Sequence, residues 1–479
     1  MIQFERFTLQ NGLRVLVHTD VSTPMAVVNV LYDVGARDEN PQQTGFAHLF
    51  EHLMFGGSVN IPDYDEPLQM AGGENNAYTT NDLTNYYIQL PADNLETAFW
   101  LESDRMLSLA FSEKSLDVQR KVVCEEFKEH YLNKPYGDVW HNMRQLAYQV
   151  HPYQWMTIGK ELSHIEQAKL QNVKDFFFKH YTPCNAILVV AGHVHAGQVL
   201  ALAEKWFGGI PAGTKYQRQL PQEPSQAKAR KKEMVSNVPL DLLCKTWHMP
   251  GRLDKNYHAT DLLTDILGGN NSSRLYQQLV KEQKLFVHLD CYHFGSSDPG
   301  LLTIEGKLTE GVNMEQAEQA IQQEIDKICK EGPTEQELQK VKNKTESSIA
   351  FEDMSVMSRA ASLAYYELLG DAAWMNTELD KYAAVTAEQM QAEAKNIFRK
   401  DIEQPNNSIV LSHLFDCCLL IAHPNLLLNV LRSLNSASVN FRFFSYSLYF
   451  LFNIFLFSFL HSVRHFLQST LKLSQCVLE

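Results

Sequence analysis

His48, Glu51 and His52 are the residues of this chain best spaced to do chemistry together. On a helix, positions four apart share a face, so the two imidazoles can reach one metal ion. Glu51, one residue before the second His, projects beside that ion, where it can hold and deprotonate a bound water. The order H-x-x-E-H inverts the commoner H-E-x-x-H metal pattern. The chain has 18 His, so a chance match is on the order of a few percent and the flanks must decide. Phe46, Ala47, Leu49, Phe50, Leu53, Met54 and Phe55 are apolar. That pattern predicts a buried amphipathic helix, with Gly56-Gly57 as its stop. Two His and a Glu in so apolar a helix are costly to bury without partners. The bland alternative is a satisfied pair of core histidines.

A catalytic metal held by two His needs a third protein ligand. The stretch Val122 to His130 offers one. Helical spacing puts Val122, Val123, Glu126, Phe127 and His130 on neighbouring faces, and Glu125 and Glu129 on a more solvated one. This favours Glu126, although spacing alone leaves Glu125 and Glu126 hard to separate. A charged, solvated helix face is the competing reading.

At this point the chain resembles the pitrilysin/insulinase family of zinc metallopeptidases, in its shorter branch related to mitochondrial processing peptidase. That family carries H-x-x-E-H followed by a distant Glu, and here Glu126 stands 74 positions after His52. Asn11 to Val15, Val34 to Glu39, Gly72 to Thr79, Thr84 to Tyr87, His151-Pro152-Tyr153 with Ile158-Gly159, Ala186 to Gly192, and Gly268-Gly269 with Ser272 to Tyr276 extend the likeness. It covers residues 1 to about 410. The resemblance implies an α+β chain of two similar α/β sandwich domains, each a mainly antiparallel sheet packed by helices. It implies His48, His52 and Glu126 as zinc ligands and Glu51 as general base. Asn76 and Ala77 would lie on an edge strand that pairs with the peptide substrate. Such pairing through the backbone gives loose sequence specificity.

Two departures stand out. The family often has a Glu seven residues before the metal Glu, where this chain has Gln119. Its second half usually supplies an Arg and a Tyr to the substrate. Here Lys281 stands at the Arg position, with no Tyr in the stretch through His288, and Lys cannot make the same bidentate contact. A related subunit, in a homo- or heterodimer, would then supply the Arg/Tyr pair. The leading expectation is a zinc-dependent endopeptidase of peptides or unfolded segments. The alternative is a non-catalytic substrate-binding or assembly subunit of a heterodimeric peptidase-like complex.

Composition sets the bounds. At 479 residues two to three domains are expected. The spans read as 1–210 for the zinc-binding half, 211–232 for a Pro-rich exposed linker, 233–410 for an inactive homologous half and 411–479 for a tail. A net charge of −14 disfavours nucleic acid as a partner. Eight Cys, irregularly spaced and without a C-x-x-C pair, suit a reducing compartment. The start lacks a basic region and apolar core, so no secretory signal and a cytoplasmic location are expected.

Strands are predicted over 14–18, 25–32, 187–190, 240–248 and 301–307. Helices are predicted over 94–109, 115–131, 196–206, 257–267, 274–283, 313–330 and 333–351, with Asn94 and Ser112 as caps. No residue-level repeat relates the halves. Past Val410 the character changes: ten of the 26 Phe fall in 411–479, and Phe443 to Leu460 holds no charge. That run is long enough for a marginal membrane span. The tail reads as an anchor, as a hydrophobic piece packed on the core or a partner, or as a non-native extension from a shifted or over-run reading frame.

Overall fold

The computed structural model describes residues 1–398 and 406–413. In chain order its strands are β1 (Glu5–Thr8), β2 (Arg14–Thr19), β3 (Met25–Tyr32), β4 (Glu74–Thr79), β5 (Thr84–Pro91) and β6 (Ala186–Gly192). Then follow β7 (Arg230–Ser236), β8 (Leu242–Met249), β9 (Phe286–Phe294), β10 (Gly300–Leu308) and β11 (Asn407–His413). They form two sheets, ordered β1-β2-β6-β3-β5-β4 and β7-β11-β8-β10-β9. Each sheet has one parallel pair, β2 with β6 and β7 with β11, and is otherwise antiparallel.

The chain repeats its topology without repeating its residues. Setting β1 aside, the first sheet runs first, fifth, second, fourth, third strand of its half, and the second sheet runs in the same order. Both equivalent central strands, β3 and β8, are buried on both faces, as a strand covered on two sides must be. β4 alternates exposed and half-buried residues, the pattern of an edge.

Each sheet is covered on one face by helices of its own half and on the other by a helix from the opposite half. Side chains of β2, β3 and β6 partition by twos. Val15, Val17, Val28, Val30, Leu188 and Val190 face the first half's own helices. Leu16, Val27, Leu31, Ile187 and Val189 face the other way, onto Ala360, Leu363 and Ala364 of the Val356–Leu369 helix. Reciprocally, Val139 and Met143 of the Val139–Ala147 helix pack on Leu242, Cys244, Ile409 and Leu411 of the second sheet. Hydrophobic periodicity marks such helices as amphipathic but does not name the sheet they cover.

Other expectations need adjustment. The stretch read as a linker contains the start of β7, which pairs with β11 from Arg230 onward. The rest is mostly exposed but pinned. Arg218 reaches Asp33 and Asp38, and Glu223 accepts backbone N–H groups of Gln149, Val150 and His151. The predicted 274–283 helix is a π-helical turn, Tyr276–Glu282. Ser112 caps its helix by accepting from Ser115 N–H, whereas the Asn94 side chain donates to the Ala71 carbonyl instead. β11 runs to His413, three residues past the point where the tail reading begins. The 443–460 run lies outside the described residues. Among those described, no helix is long and apolar enough to cross a membrane.

Candidate metal centre

The Phe46–Leu53 helix buries Phe46, Ala47, Leu49, Phe50 and Leu53, which leaves His48, Glu51 and His52 on its remaining face. Its entry is built by two residues outside the motif. Gly45 takes a φ of 87°, and a Cβ there would meet the Ile158 carbonyl oxygen at 2.5 Å. Only glycine fits. The buried Glu39 carboxyl group then accepts from the N–H groups of Gly45 and Ala47, each at 2.8 Å, and so caps the helix from outside it. Burial drives the Glu39 carboxyl up to about 8, against the pull of those two N–H groups.

Glu126 sits on the Glu113–Phe127 helix, which packs on the first. Its carboxylate lies 3.8 Å from His48 Nε2 and 3.4 Å from His52 Nε2. Among the described residues, these three form the one His/Cys/Asp/Glu group close enough to share an ion, with all three ligand atoms within 4.8 Å of one another. Glu125 turns to solvent and pairs with Lys128 at 2.7 Å, so the tertiary fold separates the two acids that spacing left ambiguous. Hydrogen bonding with His52 holds the Glu126 carboxyl below its usual range, despite some burial. Burial pulls His48 down to about 4, against the attraction of Glu126. At neutral pH the site therefore offers one carboxylate and a neutral His48 imidazole, donors in the form a metal takes. Tetrahedral zinc ligation separates neighbouring N and O ligands by roughly 3.3–3.5 Å, which the Glu126–His52 separation of 3.4 Å matches and the Glu126–His48 separation of 3.8 Å slightly exceeds. His48 Nδ1 is buried with no hydrogen-bond partner among the described residues.

Glu51 is half-buried, and burial lifts its carboxyl above the usual value. It accepts the Thr79 hydroxyl at 2.6 Å, which ties it to β4. Asn76, on the exposed face of that strand, accepts from the Ala77 N–H at 2.8 Å, and Ala77 packs inward on the core. Lys281 is not brought to this cluster: it is exposed, 5.7 Å over the Tyr276 ring. Gln119 is half-buried on the Glu113–Phe127 helix. Sequence reading assigned no role to Glu39 or Thr79, although both lie inside the stretches that carry the family likeness. A buried acid six residues before a helix entry glycine is the signal that points to the first.

The arrangement agrees with what the chain is similar to. Residues 14–160 match the insulinase (peptidase family M16) pattern, and 167–345 match the peptidase M16 inactive domain. The zinc protease PqqE of Helicobacter pylori is 31% identical over 71% of this chain and 77% of its own length. Subunit beta of the mitochondrial-processing peptidase of Saccharomyces cerevisiae is 28% identical over 42% of this chain and 44% of its own. The crystal structure of a protease from Helicobacter pylori superposes with a TM-score of 0.80 at 27% identity, covering 86% of this chain and all of that one. With both M16 patterns matched in order and that level of identity to PqqE, the chain belongs to peptidase family M16.

Proposed function

We propose that this chain is a zinc-dependent endopeptidase acting on peptides or unfolded polypeptide segments. The observation that carries the reading is the convergence of His48, His52 and Glu126 on one point, with Glu51 on the same helix and held by an open edge strand. His48 Nε2, His52 Nε2 and the Glu126 carboxylate would hold the ion. When bound, zinc supplies a Lewis acid for the scissile carbonyl and lowers the pKa of water. Glu51 takes the proton from the attacking water on its carboxylate and passes it to the leaving amine. β4 offers its free edge to an extended peptide, whose backbone it can bond without reading side chains. Thr79 keeps the base beside that edge.

Lys281, where an Arg is expected, favours a second element of the proposal. The chain's own second half supplies no Arg/Tyr pair at the expected stretch, so a related subunit, in a homo- or heterodimer, completes the substrate grip. Full peptidase activity in a strict monomer would remove that element.

The test of the main reading is Glu51→Gln. The variant should retain zinc and lose about 100-fold or more of its turnover. Normal cleavage by Glu51→Gln would refute the mechanism. Loss of the zinc together with the activity would instead assign Glu51 a structural role.

A further inference from the structure

The Val139–Ala147 helix, which the first half lends to the second sheet, carries an arginine that bonds no carboxylate among the described residues. Arg144 is 8% exposed. Its Nη1 donates to Asn81 Oδ1 at 2.9 Å and to the Trp155 carbonyl at 3.2 Å. Its Nε is buried with no partner, and its Nη2 makes no hydrogen bond among the described residues. Burial pulls its pKa down from the usual arginine value. Elsewhere in this chain the same Nε and Nη2 pair grips a carboxylate: Arg105 on Glu102, Arg218 on Asp38 and Arg274 on Glu337. The nearby acid is spoken for. Asp82 bonds Arg37, the Tyr153 hydroxyl and the Ser297 N–H. A buried guanidinium without a counter-charge is expensive unless something else supplies one.

Arg144 lines a cavity of about 500 Å³ between the halves, with Tyr78, Thr80, Phe294, Ser362 and Tyr365. The size suits a side chain or a chain end rather than a single water. Its position is informative. Thr79, whose hydroxyl meets Glu51, stands between Tyr78 and Thr80, both of which line the cavity. A strand added along the edge of β4 therefore runs past the base and on toward Arg144. We propose that this cavity is an anion subsite that takes a peptide carboxylate, from an acidic side chain or a free C-terminus, on the Arg144 guanidinium. The proposal rests on the endopeptidase reading for its ligand and gives that loosely specific site a preference. A guanidinium with an unbonded N–H end matches a carboxylate in both charge and hydrogen bonding.

The test measures binding and cleavage separately. Fluorescein-labelled peptides are titrated against the zinc-loaded, full-length Glu51→Gln variant and followed by anisotropy. One pair differs only as internal Glu against Gln with an amidated end, and a second pair, lacking acidic residues, only as free against amidated C-terminus. The carboxylate member of at least one pair should bind about ten-fold or more tighter, and which pair responds identifies the source. Adding Arg144→Gln should reduce that ratio to one, and adding Arg144→Lys should leave part of it. Equal affinities within both pairs would overturn the subsite, and so would a preference that persists in the Arg144→Gln protein. The peptide comparison in the protein that keeps Arg144 decides the matter even if Arg144→Gln fails to fold. Cleavage of the amidated Gln peptide by the wild-type protein tests the endopeptidase reading on its own. A carboxylate preference without any cleavage would sink that reading and leave the subsite standing.

Discussion

Thr79 donates its hydroxyl to the Glu51 carboxylate at 2.6 Å, joining the edge strand β4 to the helix that presents His48 and His52. The bond crosses from the element that would hold a peptide to the group that would move its protons. It also opposes burial and the neighbouring Glu126 charge, which lift the Glu51 carboxyl.

Removing that hydroxyl has a direction. In Thr79→Val the carboxylate loses a charge-assisted hydrogen bond worth about 1.5–3 kcal/mol, so its pKa rises. A general base must be ionised, so the acid limb of the kcat/KM profile moves to higher pH in the variant. Above that limb the loss of rate shrinks. A pH–rate profile that only drops in height, without moving, would show that Thr79 acts on something other than the ionisation of Glu51.

Glu125 and Glu126 are neighbours in sequence with opposite surroundings. Glu126 faces both imidazoles, whereas Glu125 is exposed beside Lys128. Glu126→Gln should weaken zinc binding by about 100-fold or more. Glu125→Gln should leave it within about two-fold, as expected for an exposed ion pair. Zinc content after dialysis against a graded chelator measures both.

What could be read in advance follows the range of the interactions. β3 and the Tyr257–Leu267 helix begin and end where their apolar patterns do, because periodicity and burial set them locally. The pair His48 and His52 was legible for the same reason. Choosing Glu126 over Glu125 needed the packing of two helices. The cap on the metal-facing helix was not legible, because Glu39 reaches it across a loop rather than from the usual N-cap position. The exchanged helices were hidden because an amphipathic stripe does not name its partner sheet. The shared strand order was hidden because a topology can persist after its residues have diverged. β9 went unread because Phe286 to Phe294 mixes His, Asp and Tyr with apolar residues, which blurs alternation.

Glu39 links stability to pH in a way that can be checked. Its carboxyl titrates near 8 when folded, against an ordinary value of 4.5. A raised carboxyl pKa means that the folded chain holds a proton the unfolded chain has released. The stability this proton contributes is complete below about pH 4.5 and is lost as pH rises through about 8. Glu39→Ala also leaves the buried N–H groups of Gly45 and Ala47 without partners, a cost of about 1–3 kcal/mol. The melting-temperature gap between wild type and Glu39→Ala should therefore be largest near pH 5 and narrow toward pH 9. A gap that widens with pH would show that Glu39 is ionised in the fold and acts as a charged cap.

The exchanged helices predict how the described body unfolds. Leu363 comes from the second half of the sequence but is fully buried among Leu16, Val27, Leu31 and Val189 of the first sheet. Met143 comes from the first half and is buried against Leu242 and Leu411 of the second. Neither sheet can lose the opposite half without baring one face. Leu363→Ala should cost about 2–5 kcal/mol, as truncation of a buried leucine does. The loss should appear as a shift of a single cooperative transition rather than of one step among two. Calorimetry on the wild type and the variant decides this, with hydrogen exchange at the amides of β3 and β6 as the local readout. If Leu363→Ala left those amides fully protected while lowering a separate transition of the second half, the helix would belong energetically to its own half, and the exchange would be a contact without consequence.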